Sequence, residues 1–139
     1  MMLPDSLSDA GEYSSLVLAY MGDAVYELEI RTMVVKEGNR QVNKMNRDTV
    51  RLVNAGTQAK MMRFLEPVLT PEEHAVYKRG RNAKSYTVAK NATMIDYRTA
   101  TAFEALIGYL YLNGEKDRMR ELIRTGLAGL KSDAEERKT

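Results

Sequence analysis

The chain has 139 residues, with 21 lysines and arginines against 19 aspartates and glutamates, one histidine and no cysteine. That length suits one domain over 1–139 with one core. The missing cysteines exclude disulfides, thiolate catalysis and cysteine-ligated zinc. The net charge of +2 hides a segregation: residues 1–39 carry −5 (two cations, seven anions), 40–63 carry +5 (six and one), 64–77 carry −3, 78–98 carry +5 (six and one), and the rest balance. Two basic blocks matter more to a polyanionic partner than the overall charge does.

Apolar residues recur at three- and four-residue spacing almost throughout, without a period-two run, which predicts an all-α helical bundle. The opening MMLPDSLSDAGEYSS has no basic region followed by an apolar core, and no stretch approaches the roughly 18 apolar residues of a membrane span. The expectation is a soluble, cytoplasmic protein with no membrane partner. A first helix starts at Ser14 or Ser15 and stops near Gly38-Asn39, residue types that tolerate the left-handed conformation. A second helical region covers 42–65 with a bend near Gly56. Thr70-Pro71-Glu72-Glu73 combines an N-cap, a proline at the first helical position and the glutamate of a capping box, so a third helix begins there. It is expected to yield at Gly80 to a polar, basic loop through Asn91. A fourth helix ends at Asn113-Gly114, and an amphipathic fifth covers 116–130. The tail KSDAEERKT, 131–139, has no apolar anchor and is expected to fray, leaving an ordered core over 14–130.

Two carboxylates stand out. Glu104 is the only charge in TATAFEALIGYLYLN, and at 100° per residue it shares a face with Tyr97, Ala100, Ile107 and Tyr111. Asp23, in LVLAYMGDAVYELEI, projects on the side of Leu16, Ala19 and Ile30. Both faces are expected to point inward, and a buried carboxylate needs a partner to stay ionised. A divalent cation is one such partner; Arg31, Arg98, a lysine or a helix N-terminus is the structural alternative. Gly22 precedes Asp23 and Gly108 follows Glu104 by four, leaving room for a ligand or for close helix packing.

Cations recur in two places. Lys44, Arg47 and Arg51 fall near one line of the second helix together with Gln58, a spacing suited to successive phosphates or simply to a solvated face. In KRGRNAKS, the cations Lys78, Arg79, Arg81 and Lys84 surround a glycine, and Asn82 and Ser85 add donors, which favours contact with a nucleic-acid backbone. His74 has no paired nucleophile, there is no phosphate-binding glycine loop, and Met21, Met33, Met61 and Met62 read as core filler.

YMGDAVYELEIR resembles the signature helix of ribonuclease III enzymes, in which a Gly-Asp pair supplies a catalytic carboxylate. TAFEALIGYLYL resembles a later helix of the same fold, in which Glu-Ala-Leu-Ile-Gly carries a metal ligand. With RGRNAKS and no double-stranded-RNA-binding domain, the chain resembles the compact bacterial branch of that family, Mini-ribonuclease III. The resemblance implies a ribonuclease III-like endonuclease domain with Asp23 and Glu104 as catalytic residues and metal ligands. It further implies magnesium, with manganese able to substitute, and a homodimer that cuts both strands of double-stranded RNA to 5′-phosphate and 3′-hydroxyl ends. Maturation of the large-subunit (23S) ribosomal RNA precursor is the implied role, with a ribosomal protein as a candidate helper. Longer relatives have a further glutamate and aspartate where Ala19 and Thr101 stand here, and compact relatives often carry lysine at the place of Gly56. The reduced acidic set keeps open a non-catalytic RNA-binding or ribosome-assembly protein on the same fold. A helical protein–protein adaptor would leave the basic blocks unexplained.

Overall fold

The computed structural model describes residues 10–83 and 93–138, and among these every regular element is helical. A short 3-10 turn (Ala10–Glu12) leads into α1 (Ser15–Lys36). Next come α2 (Val42–Val53), α3 (Ala55–Leu65), a 3-10 turn (Glu66–Val68), α4 (Pro71–Asn82), α5 (Met94–Leu112) and α6 (Lys116–Arg137).

Local chemistry sets most boundaries. The Ser14 hydroxyl accepts from the Val17 amide at 3.2 Å to start α1, and Gly38, with φ of 140°, follows its end. The predicted capping box is present: the Thr70 hydroxyl accepts from the Glu73 amide at 3.2 Å, and the Glu73 carboxylate accepts from the Thr70 amide at 2.9 Å. Thr93 caps α5 through the Asp96 amide at 3.0 Å, and Gly114, with φ of 77°, closes it.

Three boundaries differ from the sequence expectation. The region over 42–65 is two helices, broken at Asn54, whose ψ of 159° is extended. The break is held by side chains: Asn54 Oδ1 accepts from the Thr57 amide at 2.9 Å, and Asn54 Nδ2 donates to the carbonyls of Val50 and Arg51 at 3.0 Å. Helix α4 runs through Gly80 to Asn82, because Gly80 is a packing residue: a Cβ there would lie 2.8 Å from the Ala102 Cα of α5. Lys78, Arg79, Arg81 and Asn82 are therefore helical, while Lys84 and Ser85 lie outside the described residues. Helix α6 continues to Arg137 where fraying was expected; its last turns bury no side chain but carry an Asp133–Arg137 pair at 3.4 Å.

Helix α5 is the hub, packed against α1, α3, α4 and α6. Ala102, Phe103, Ala105, Leu106, Ile107 and Leu110 are fully buried along it. Tyr26 of α1 meets Phe103 edge-on at 4.9 Å and donates its hydroxyl to the Leu52 carbonyl at 2.7 Å, tying α1 to both α5 and α2. Met61 and Met62 fill the core as expected, with Met21 and Met33 half-buried at its edge. No described helix is long and apolar enough to cross a membrane.

Candidate active site

The site forms where α1 crosses α5. A side chain at Gly22 would overlap the Glu104 carbonyl, and one at Gly108 would overlap the Leu18 carbonyl, so the two helices touch backbone to backbone. The room beside each acid is used for close packing. Asp23 follows Gly22 directly, and Glu104 stands one turn before Gly108. The crossing therefore brings the two carboxyl groups into hydrogen-bonding contact.

Their burial departs from the expectation that both point inward. Asp23 is exposed and Glu104 is half-buried, so the pair lies at the rim of the core with Asp23 on the solvent side. Helix α1 is apolar around most of its circumference, which obscures its inward face. Of the residues grouped with Asp23, Ala19 and Ile30 are buried but Leu16 is exposed. Burial pushes the Glu104 carboxyl up to about 8, reinforced by the hydrogen bond and then the charge of Asp23, and opposed by a hydrogen bond from Gln58. Among the described residues no cation figures in the groups acting on Glu104.

Gln58 is the site residue that sequence reasoning missed. Grouped with the cations of the second helix, it is instead 2% exposed beneath the acid pair. Ala19 is buried, and Thr101 donates its hydroxyl to the Tyr97 carbonyl of its own helix at 3.0 Å; neither adds a carboxylate. Among the described residues no group of three or more His, Cys, Asp or Glu side chains converges. The donor set is two carboxylates at a solvent-accessible rim. It fits a hard divalent cation such as magnesium or manganese, which takes oxygen ligands and keeps several waters.

The cations divide into sets. Lys44, Arg47 and Arg51 are exposed on α2, with Arg51 3.9 Å from Asp48. Arg40 is bound to Asp48 at 2.8 Å and so serves α2 itself. Lys78, Arg79 and Asn82 share one side of α4 and line a cleft of about 680 Å³ with Ser14, Ser15 and Leu16 of the α1 entry. Asp23 lies eight residues along α1 from Ser15, about 12 Å at 1.5 Å per residue. Arg81 turns to another side, its guanidinium 5.6 Å from the centre of the Tyr77 ring. Gly56 is not required by space, since a Cβ there would meet only the Asn54 Oδ1 at 3.4 Å.

Comparison with known proteins places the chain in a family. Residues 16–115 match the Ribonuclease III domain. The chain is 48% identical to Mini-ribonuclease 3 of Clostridium tetani, over 84% of this chain and 78% of that one. It is 46% identical to Mini-ribonuclease 3 of Enterococcus faecalis, over 84% and 90% respectively. A crystal structure of a Fusobacterium nucleatum protein superposes with a TM-score of 0.78 at 32% identity, over 88% of this chain and 98% of that one. The chain belongs to the ribonuclease III family, in its compact Mini-ribonuclease 3 branch.

Proposed function

We propose that this chain, an endoribonuclease by family, is a magnesium-dependent homodimer. It cuts both strands of double-stranded RNA, leaves 5′-phosphate and 3′-hydroxyl ends, and acts on the large-subunit (23S) ribosomal RNA precursor. The observation that carries this reading is the Asp23–Glu104 pair: two carboxyl groups in contact, one of them partly desolvated, with no cation among the described residues acting on Glu104. Asp23 and Glu104 would hold the magnesium ion, with manganese able to replace it. When bound, the ion supplies activation of water for in-line attack on phosphorus and offsets charge in the transition state.

The chain's own residues orient the duplex. Lys78, Arg79 and Asn82 present two charges and an amide to the RNA backbone from the cleft beside α1, with Lys84 and Ser85 continuing that sequence and Lys44, Arg47 and Arg51 adding a second cationic row on α2. One subunit offers one acid pair, so cutting both strands in one encounter takes two subunits about a two-fold axis. Helix α1 supports such pairing, since Val17, Tyr20 and Leu28 are exposed apolar side chains along it, with Tyr20 82% exposed, and Tyr13 is exposed just before its start. The rival, a non-catalytic RNA-binding or ribosome-assembly protein, draws on the absence of acids at positions 19 and 101.

Incubating the protein with duplex RNA, with and without magnesium, separates the two. Asp23→Asn and Glu104→Gln should each reduce cleavage at least about 10³-fold, equivalent to about 4 kcal/mol of barrier, while duplex binding persists. Heterodimers of wild-type and Asp23→Asn subunits should nick one strand. Either variant cleaving at the wild-type rate removes the assigned ligand. Double-strand cuts by the heterodimer remove the two-site arrangement.

A further inference from the structure

Three polar or charged side chains are buried among the described residues: Thr49, Gln58 and Glu73. Two have purely structural partners. The Thr49 hydroxyl donates to the Met45 carbonyl of its own helix at 3.0 Å, and Glu73 binds Arg118. Gln58 differs, because its amide connects the main chain at a helix break to a carboxylate of the active site.

The direction of these bonds follows from chemistry. Val53 ends α2, and its carbonyl lacks the amide that a continued helix would supply. Gln58 Nε2 donates to that carbonyl at 3.3 Å. A carbonyl only accepts, so the nitrogen of the Gln58 amide must lie on that side, and its second N–H is the donor available to the Glu104 carboxylate. The anchor is firm: Asn54 pins the break on both sides, and the Thr57 hydroxyl donates back across it to the Arg51 carbonyl at 2.7 Å. Glu104 is thus contacted by Asp23 from α1 and by Gln58 from α3.

We propose that Gln58 is a positioning residue: its amide, fixed by the Val53 carbonyl, holds the Glu104 carboxylate in the orientation in which it shares a divalent cation with Asp23. The inference rests on the metal reading above and deepens it. A side chain that only filled the core would leave cation affinity untouched when replaced by an apolar residue of similar length. A positioning donor sets that affinity, because outer-shell hydrogen bonds typically govern it by 10- to 100-fold.

The test is manganese binding to the RNA-free protein, followed by electron paramagnetic resonance, for wild type, Gln58→Met and Asp23→Asn. Gln58→Met should bind manganese at least about tenfold more weakly, and raised magnesium should restore much of its cleavage rate. Losing the donor to the Val53 carbonyl should lower its unfolding temperature in chelator, so binding is compared well below that temperature. Wild-type affinity in Gln58→Met beside weakened binding in Asp23→Asn overturns the role of Gln58 while leaving the metal reading intact. Equal binding by all three proteins overturns the metal reading and this inference with it. If Gln58→Met does not fold, side-chain amide NMR of the wild-type protein decides. The Gln58 amide signals should shift as magnesium saturates the site, and signals that stay in place overturn the proposal.

Discussion

Glu73 and Glu104 are both glutamates withdrawn from water on helices of one small bundle, and the fold treats them in opposite ways. Burial works against the Glu73 carboxylate, but the hydrogen bond from Arg118 and the backbone amide of Thr70 outweigh it and hold the group below its ordinary range. Arg118 reaches it with Nε and Nη2, both at 2.9 Å, and the same Nη2 donates to the Val68 carbonyl at 2.8 Å. At Glu104 burial is joined by a second carboxyl, and among the described residues the only opposing group is a neutral amide. A carboxylate whose charge is answered within the fold is a structural part. One left with another acid is where the proposed function would bring a cation from solution.

The largest expected effect that sharpens this contrast is on stability. Glu73→Gln sets an amide against the Arg118 guanidinium and leaves that cation only its pair with the exposed Glu121, at 2.7 Å, which should cost about 2 kcal/mol for the lost charge-assisted hydrogen bonds. Cleavage well below the melting temperature should persist. Glu104→Gln should do the reverse, removing cleavage while leaving the metal-free fold at least as stable as wild type at neutral pH. Denaturant unfolding beside a duplex-cleavage assay measures both, and an inactive, fully stable Glu73→Gln would break the distinction.

The next effect is smaller and lies in pH. The folded-state value of Glu104, about 8, exceeds the ordinary 4.5, so between those values the folded protein holds a proton that the unfolded chain has released. Metal-free stability from this group is therefore complete below about 4.5 and lost as pH rises through about 8. In chelator, the wild-type melting temperature should fall from pH 6 to pH 9 more steeply than that of Glu104→Gln, and magnesium should reverse the fall. Glu73 has the opposite sign: its contribution is present at neutral pH and disappears as pH drops through its lowered value. Identical slopes for wild type and Glu104→Gln would remove the electrostatic account of the site.

Much of this was legible in the sequence because it depends on local chemistry. A lone acid in an apolar helix, a glycine one residue or one turn away, and the Thr70 capping box are short-range signals, and the structure realises each of them. Gln58 was not legible for a physical reason. Its grouping with Lys44, Arg47 and Arg51 carried one helical phase across 42–65, and the extended Asn54 resets that phase. The depth of Asp23 was misread because α1 is apolar outside as well as inside, which leaves the amphipathic signal without a direction. Gly80 looked like a helix stop because its reason for being small, Ala102, lies on another helix. The Glu73 partner, Arg118, is 45 residues away and no local pattern points to it.

The smallest effect extends the comparison from anions to cations. Arg79 and Arg81 are two residues apart on α4, yet the helix turns them to different neighbours: Arg79 lines the cleft at the α1 entry, and Arg81 lies over the nearly buried Tyr77 ring. By the rule drawn from the two glutamates, Arg81 already has a partner in the fold and Arg79 is the one available to a phosphate. Arg79→Ala should weaken duplex binding and lower the salt dependence by roughly one counterion, with stability unchanged. Arg81→Ala should leave the salt slope in place and cost about 0.5–1 kcal/mol of stability through the lost ring contact. Titrating a fluorescent duplex against each variant at several salt concentrations, with thermal melts alongside, reads both quantities. A slope lost in Arg81→Ala and kept in Arg79→Ala would move the RNA to the other side of α4, and with it the path by which the backbone reaches Asp23.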